Sequence, residues 1–261
     1  MRGRVPAFLA VPAACALAFL VLPLAGLLVR APWGEAPRLL ADPAVGQALR
    51  LSLLTATVAT ALCLVLGIPL AWVLARPSLP GRAALRALVT VPLVLPPVVG
   101  GVALFAVLGR NGLVGRPLYE LTGFAFPFTT AGVVLAEAFV ALPFLVLSVE
   151  GALRAADRRY EEAAATLGAT PWRVFRRVTV PLVAPGIAAG AVLCWARALG
   201  EFGATITFAG NFPGRTQTMP LAVYQALGSA DPRAAVLLSV LLLGVSVAVL
   251  ALLRDRWVSR L

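Results

Sequence analysis

Glu161-Glu162-Ala163-Ala164-Ala165-Thr166-Leu167-Gly168-Ala169-Thr170-Pro171-Trp172-Arg173-Val174-Phe175-Arg176-Arg177-Val178-Thr179-Val180-Pro181 is the longest polar, charged island in a chain that is otherwise apolar. Its first half, Glu161 to Leu167, is rich in Ala, Glu and Leu, which lose little on entering a helix. Gly168 falls where a left-handed residue would end that helix. Thr170 and Pro171 read as the N-cap and first position of a second short helix over Trp172 to Thr179, with Trp172, Phe175 and Val178 on one face. Such a helix, glycine and helix unit at a membrane surface can dock into a groove on a soluble partner. The competing reading is an ordinary basic loop that only fixes topology.

Outward from the island the sequence is membrane-like. In a chain of 261 residues, 61% are hydrophobic and the mean hydropathy is +0.94, more apolar surface than a soluble fold of this size buries. The expectation is an all-α polytopic membrane protein. Every basic residue is Arg, with no Lys and no His. That excludes a Walker A lysine, a Schiff base, an imidazole base and a histidine metal ligand. The net charge of +11 does not point to nucleic acid, because the Arg residues cluster beside apolar spans instead of forming one basic domain. Cys15, Cys63 and Cys194 lie within apolar runs without paired spacing, and read as small apolar residues.

Six spans are expected. Phe8 to Val29 is long enough to cross a hydrocarbon core of about 30 Å. A signal peptide is the alternative, although its apolar region is usually only about 7–15 residues. Gly46 to Ala75 is longer than a perpendicular crossing, which implies tilt or a projecting end. Arg76-Pro77-Ser78-Leu79-Pro80-Gly81-Arg82 punctuates the chain before Ala84 to Leu108, where Pro92 and Pro96-Pro97 predict a kinked span facing protein. Gly109 to Pro127 reads as an outer loop and Phe128 to Val149 as the fourth span. Pro185 to Phe208 reads as the fifth, with Gly186, Gly190 and Cys194 at four-residue steps permitting close helix contact. Leu221 to Leu227 reads as an interfacial helix and Arg233 to Leu253 as the sixth span. This divides the chain into an N-terminal helix and outer loop (1–44), a transmembrane domain (45–253) and a basic tail (254–261).

Orientation follows from Arg. With the N-terminus inside, inner segments hold about 14 Arg against about six in the outer loops. Both termini and the island then face the cytoplasm.

Glu137, Arg197 and Glu201 lie well inside spans, where a lone charge costs at least about 2.5–3.5 kcal/mol, so they are expected to face the interior and pair. At 1.5 Å per residue, Glu137 sits about 13 Å, Glu201 about 10 Å and Arg197 about 16 Å below the outer surface. Arg197 and Glu201 also share a helix face at i, i+4. A Glu137, Arg197 and Glu201 cluster is the expectation, either as a static ion network locking two spans or as part of a gate or anion path.

The island resembles the cytoplasmic signature loop of ABC importer permeases, whose pattern is EAA, three residues, Gly, nine residues, then Ile-x-Leu-Pro. Glu162-Ala163-Ala164, Gly168 and Val178-Thr179-Val180-Pro181 fall at those spacings, departing only in aliphatic identity. The run Trp195-Ala196-Arg197-Ala198-Leu199-Gly200-Glu201-Phe202-Gly203-Ala204-Thr205-Ile206-Thr207-Phe208-Ala209-Gly210-Asn211, continuing to Thr216-Gln217-Thr218-Met219-Pro220-Leu221-Ala222-Val223-Tyr224, resembles the molybdate/tungstate permeases. Sulfate permeases share its Arg-Ala-x-Gly-Glu-Phe-Gly core.

The resemblance implies a type I ABC importer permease fold with a cytoplasmic coupling helix, in the inner (plasma) membrane of a bacterial-type cell. It implies a homodimer forming one path, two cytoplasmic ATPase subunits that hold ATP and Mg, and an extracytoplasmic oxyanion-binding protein. ATPase coupling falls to Glu161, Glu162, Ala163, Ala164, Gly168, Trp172, Phe175 and Pro181, and the pathway candidates are Arg197, Glu201, Glu137, Thr205 and Thr207. This chain would supply no catalysis, cofactor or metal site. The rivals are a proton-coupled secondary transporter using Glu137 or Glu201, and a membrane-embedded enzyme, for which no catalytic constellation is visible.

Overall fold

A computed structural model describes residues 7–76, 80–229 and 232–258. Pro77 to Leu79, the basic residues Arg2, Arg4 and Arg260, and Ser259 lie outside the described residues. All regular structure among the described residues is helical: α1 (Ala7–Arg30), α2 (Ala36–Leu40), α3 (Pro43–Ala75), α4 (Arg82–Val94), α5 (Pro97–Leu108), α6 (Gly115–Thr122), α7 (Thr130–Ala155), α8 (Arg159–Thr166), α9 (Pro171–Val174), α10 (Val180–Leu199), α11 (Gly203–Phe208), α12 (Met219–Gly228) and α13 (Pro232–Val258). Five helical segments are long and apolar enough to cross a membrane, or six if α4 and α5 together count as one broken span.

The core is a three-helix assembly of α3, α7 and α10, filled by small side chains. Ala56, Ala59, Cys63 and Ala71 of α3 meet Ala138, Ala141, Leu145 and Val149 of α7, with Cys194 and Ala198 of α10 closing the cluster. Small residues matter because lipid tails are as apolar as Leu, so helices gain chiefly by close packing and not by hiding from water. Gly67 rests against Leu142 and Leu145, and Gly190 against Ser148 and Leu145. Gly186 faces Ala152. The four-residue step of Gly186 and Gly190 thus seats α10 on α7.

These contacts also set direction. Going up α3, Thr55 meets Glu137, Gly67 meets Leu142 to Val146, and Ala75 meets Arg158. The two helices therefore run in parallel, whereas α10 runs antiparallel to α7. α1 is apolar on all sides and lies at the periphery against α13. The Glu35 carboxylate accepts from Arg233 at 3.1 Å, tying the first connection to the start of α13.

Four expectations change. The segment with Pro92 and Pro96-Pro97 is not one kinked helix but two: α4 and α5 meet at 116° across Leu95-Pro96. The second island helix does not end before the membrane, because α9, a π-helical turn over Phe175–Thr179 and α10 follow without a break. The fifth span is not continuous to Phe208; α10 stops at Leu199, and α11 starts at Gly203. The connection between α5 and α7, read as loop, also contains α6.

Candidate functional site

The island is built as a turn between α8 and α9. Gly168 has φ +79°, the left-handed value that the sequence position implies. Its N–H bonds the Ala165 carbonyl at 3.0 Å and the Ala169 N–H bonds the Ala164 carbonyl at 3.1 Å, the paired bonds that satisfy the last carbonyls of α8. Thr170 Oγ1 then accepts from the Arg173 N–H at 3.4 Å, with Pro171 at the first helical position.

The expected apolar face divides. Trp172 and Phe175 stack with ring centroids 5.8 Å apart, yet only Trp172 is exposed; Phe175 turns inward, edge-on to Trp72 of α3 at 6.4 Å. Leu167 is 88% exposed and Tyr160 60%, so with Trp172 they present large apolar side chains beside the turn. Sequence reading passed over Tyr160 and Leu167 as docking residues; each flanks the Glu161 to Thr166 run, and position beside the glycine was the available signal for Leu167 alone. Glu162, Ala163 and Pro181 are exposed, while Ala164 is half-buried.

Glu161 is also half-buried and faces its own chain. One carboxylate oxygen accepts from Arg76 Nη1 at 3.0 Å and Nη2 at 3.1 Å, and the other accepts from Thr179 Oγ1 at 2.6 Å. Burial alone would raise this carboxyl, but the bonds from Thr179 and Arg76 and the nearby charges of Arg76 and Arg158 outweigh it and hold it below its ordinary value.

The second site lies where α10 gives way to α11. Arg197 Nη1 meets Glu201 Oε2 at 2.6 Å, and Glu201 Oε1 accepts from the Ala204 N–H at 2.9 Å. The carboxylate thus fills the start of α11 while holding the end of α10, which explains why the helix can break in lipid without leaving that backbone donor bare. Glu201 is 1% exposed. Glu137 is as deeply buried, but its partner is the Thr55 hydroxyl at 2.8 Å; its Oε2 has no hydrogen-bond partner among the described residues. In place of the expected three-residue ion pairing, Arg197 pairs with Glu201 while Glu137 hydrogen-bonds to Thr55 of α3.

The two threonines part as well. Thr205 is fully buried with an unpartnered hydroxyl, whereas the Thr207 hydroxyl bonds the Gly203 carbonyl at 2.8 Å and its side chain packs on Gly101. α5 and α11, the two helices that follow a break, lie against each other through Gly101 and Gly203, the latter facing Pro97. No group of three His, Cys, Asp or Glu side chains that could hold a metal occurs among the described residues.

Comparison with known proteins places this arrangement. The chain is 50% identical over 246 residues to the molybdenum transport system permease protein ModB of Mycobacterium tuberculosis, covering 94% of this chain and 92% of that one. It is 37% identical over 227 residues to the sulfate transport system permease protein CysT of Escherichia coli, covering 85% and 82%. Among solved structures, a bacterial ABC transporter that imports the acidic polysaccharide alginate superposes with a TM-score of 0.73 at 19% identity, covering 95% of this chain and 93% of that one. Residues 67–261 match the family of inner membrane components of binding-protein-dependent transport systems, and the chain belongs to that family.

Proposed function

We propose that this chain is the membrane-spanning subunit of an ATP-driven importer of molybdate-type oxyanions. The observation that carries the substrate class is the 50% identity, over nearly the whole of both chains, to a permease named for molybdenum transport, against 37% to one named for sulfate. Sulfate remains the alternative substrate. The island supports the ATP-driven part of the reading: it offers Tyr160, Leu167 and Trp172 to a soluble partner, and the turn beside them is rigidly capped. Two copies of the chain would form one path, two ATPase subunits holding ATP and Mg would grip the two islands, and a binding protein would deliver the anion on the outer side.

The direction of the helices supports six spans. α3 and α7 are parallel and both end at the island, through Arg76 and Arg158. The chain between them must return to the far side, so α4 and α5 act as one broken crossing despite their 116° bend. With the Arg-rich ends inside, both termini are cytoplasmic in a bacterial-type plasma membrane.

Purified chain reconstituted in liposomes with its ATPase and binding protein is expected to take up labelled molybdate only when ATP is enclosed, with unlabelled tungstate competing better than sulfate. Uptake that runs on a proton gradient without ATP would instead make the chain a secondary transporter, and stronger competition by sulfate would reassign the substrate.

The topology has its own test. In a Cys15→Ala background, cysteines placed at Ala44, Asn111 or Pro213, all exposed, should react in intact cells with an impermeant maleimide. Cysteines at Thr166 or Ser259 should react only after permeabilisation. Labelling of Thr166→Cys from outside would invert the molecule and remove the docking role of the island.

A further inference from the structure

The cytoplasmic end of α3 meets the island through a single carboxylate. Arg76 is the first residue beyond α3, and both terminal nitrogens of its guanidinium bond Glu161 Oε2, while Thr179 at the end of the π-helical turn bonds Glu161 Oε1. Three elements that are distant in sequence, the end of α3, the first turn of α8 and the wide turn entering α10, therefore converge on Glu161. The Arg76 guanidinium also lies 4.4 Å from the Trp72 ring centre, and Trp72 meets Phe175, which stacks on the exposed Trp172. Arg158, just before α8, donates to the Ala75 carbonyl at 3.1 Å and satisfies one of the open carbonyls that end α3.

α3 is a rod. Its 33 residues span about 50 Å at 1.5 Å per residue. Along its other half, Thr55 holds the buried Glu137, and the Ser52 hydroxyl accepts the N–H of Met219 at 2.7 Å. A shift of the island that moves Arg76 would move a helix whose far half grips the interior polar groups of α7 and α12. Coupling through a packed, continuous helix of this kind needs a defined attachment at its driven end.

We propose that Glu161 is a positioning residue of the transport cycle: with Arg76 and Thr179 it clamps the island to α3, so that motion imposed on the exposed face reaches the membrane interior, and it does not itself contact the ATPase. This rests on the reading that the island docks the ATPase.

The test uses the reconstituted full transporter and reads two quantities, the affinity of the permease for the ATPase and the number of anions taken up per ATP hydrolysed. Glu161→Gln keeps the shape and the acceptor for Thr179 but removes the charge facing Arg76. It should leave ATPase affinity unchanged and lower uptake per ATP by about five- to tenfold. Arg76→Gln should do the same, and the double variant should be no worse than either single one, because the two act as one unit. Arg76→Lys, which keeps the charge but not the two-nitrogen contact, should recover part of the ratio. Normal uptake per ATP in Glu161→Gln overturns the clamp, as does a strictly multiplicative loss in the double variant. Lost ATPase affinity in Glu161→Gln overturns it too, since Glu161 would then be a contact residue. Trp172→Ala in the same assay separates the two ideas: unchanged ATPase affinity there removes the docking reading, whereas weakened affinity with a normal Glu161→Gln removes only the clamp.

Discussion

Gly168→Val is expected to abolish ATP-coupled uptake while the protein still inserts and keeps its transmembrane core. The backbone of Gly168 is at φ +79°, where a side-chain Cβ approaches the neighbouring carbonyl and costs roughly 1–2 kcal/mol, more for a β-branched residue. Among the described residues, apart from its two chain neighbours, none lies within 4 Å of the position a Cβ would take, so the penalty is one of backbone conformation and not of crowding. That distinction gives a sharp control. Asn tolerates the left-handed region and should be nearly neutral at the same site, although it is larger than Ala.

The consequence of Val is geometric. Losing the left-handed turn breaks the two bonds to Ala164 and Ala165 and swings Thr170, Pro171 and Trp172 away from α8. ATPase affinity should fall by roughly tenfold or more, since 1.4 kcal/mol is a factor of ten, and uptake with it. Binding of the ATPase to immobilised permease, beside uptake by vesicles, checks this. Unchanged binding and uptake in Gly168→Val would show that the island is a topology loop and nothing more.

What the sequence made legible, and what it hid, divides along a physical line. α3 and the glycine turn were readable because their causes are local: a long apolar run, an Ala-rich turn, a glycine at the stop. The π-helical turn was not, because Pro181 normally argues against a continuous helix by colliding with the carbonyl four residues back. Here that carbonyl, of Arg177, belongs to the widened turn over Phe175–Thr179, where the ladder shifts by one residue and leaves space for the ring. The proline and the wide turn compensate each other, and neither reads as such alone.

The angle between α4 and α5 was hidden for a similar reason. Pro96-Pro97 signals a break, but 116° is set by where α5 finds its partner, with Gly101 against Ala204 and Thr207 and Pro97 against Gly203. At the interior site the chemistry was legible and the partnership was not. Glu137 and Glu201 lie at comparable depths, so depth alone could not say which one takes Arg197. The i, i+4 spacing of Arg197 and Glu201 was the better guide, and Glu137 instead finds a hydroxyl on α3.

That division shapes the largest stability effect expected in this protein. Arg197→Ala leaves the Glu201 carboxylate, 1% exposed, without its cation and with only the Ala204 N–H as a close donor. Removing one partner of a buried pair costs about 3–5 kcal/mol, and in detergent the midpoint of thermal unfolding should drop by on the order of 10 °C. Because Glu137 bonds Thr55 and not Arg197, the repair needs a change only at Glu201: Arg197→Leu with Glu201→Gln removes both charges, keeps an oxygen to accept from Ala204, and should restore the midpoint to near that of the parent. Adding Glu137→Gln should bring little more, since no ion pair of Arg197 includes it. A thermal midpoint for Arg197→Ala equal to the parent's would mean the pair carries no structural load. Uptake by the stable double variant then decides the role of the cation. If transport stays low once folding is restored, Arg197, whose side chain is 27% exposed, acts on the passing anion; if transport recovers fully, the pair only joins the end of α10 to the start of α11.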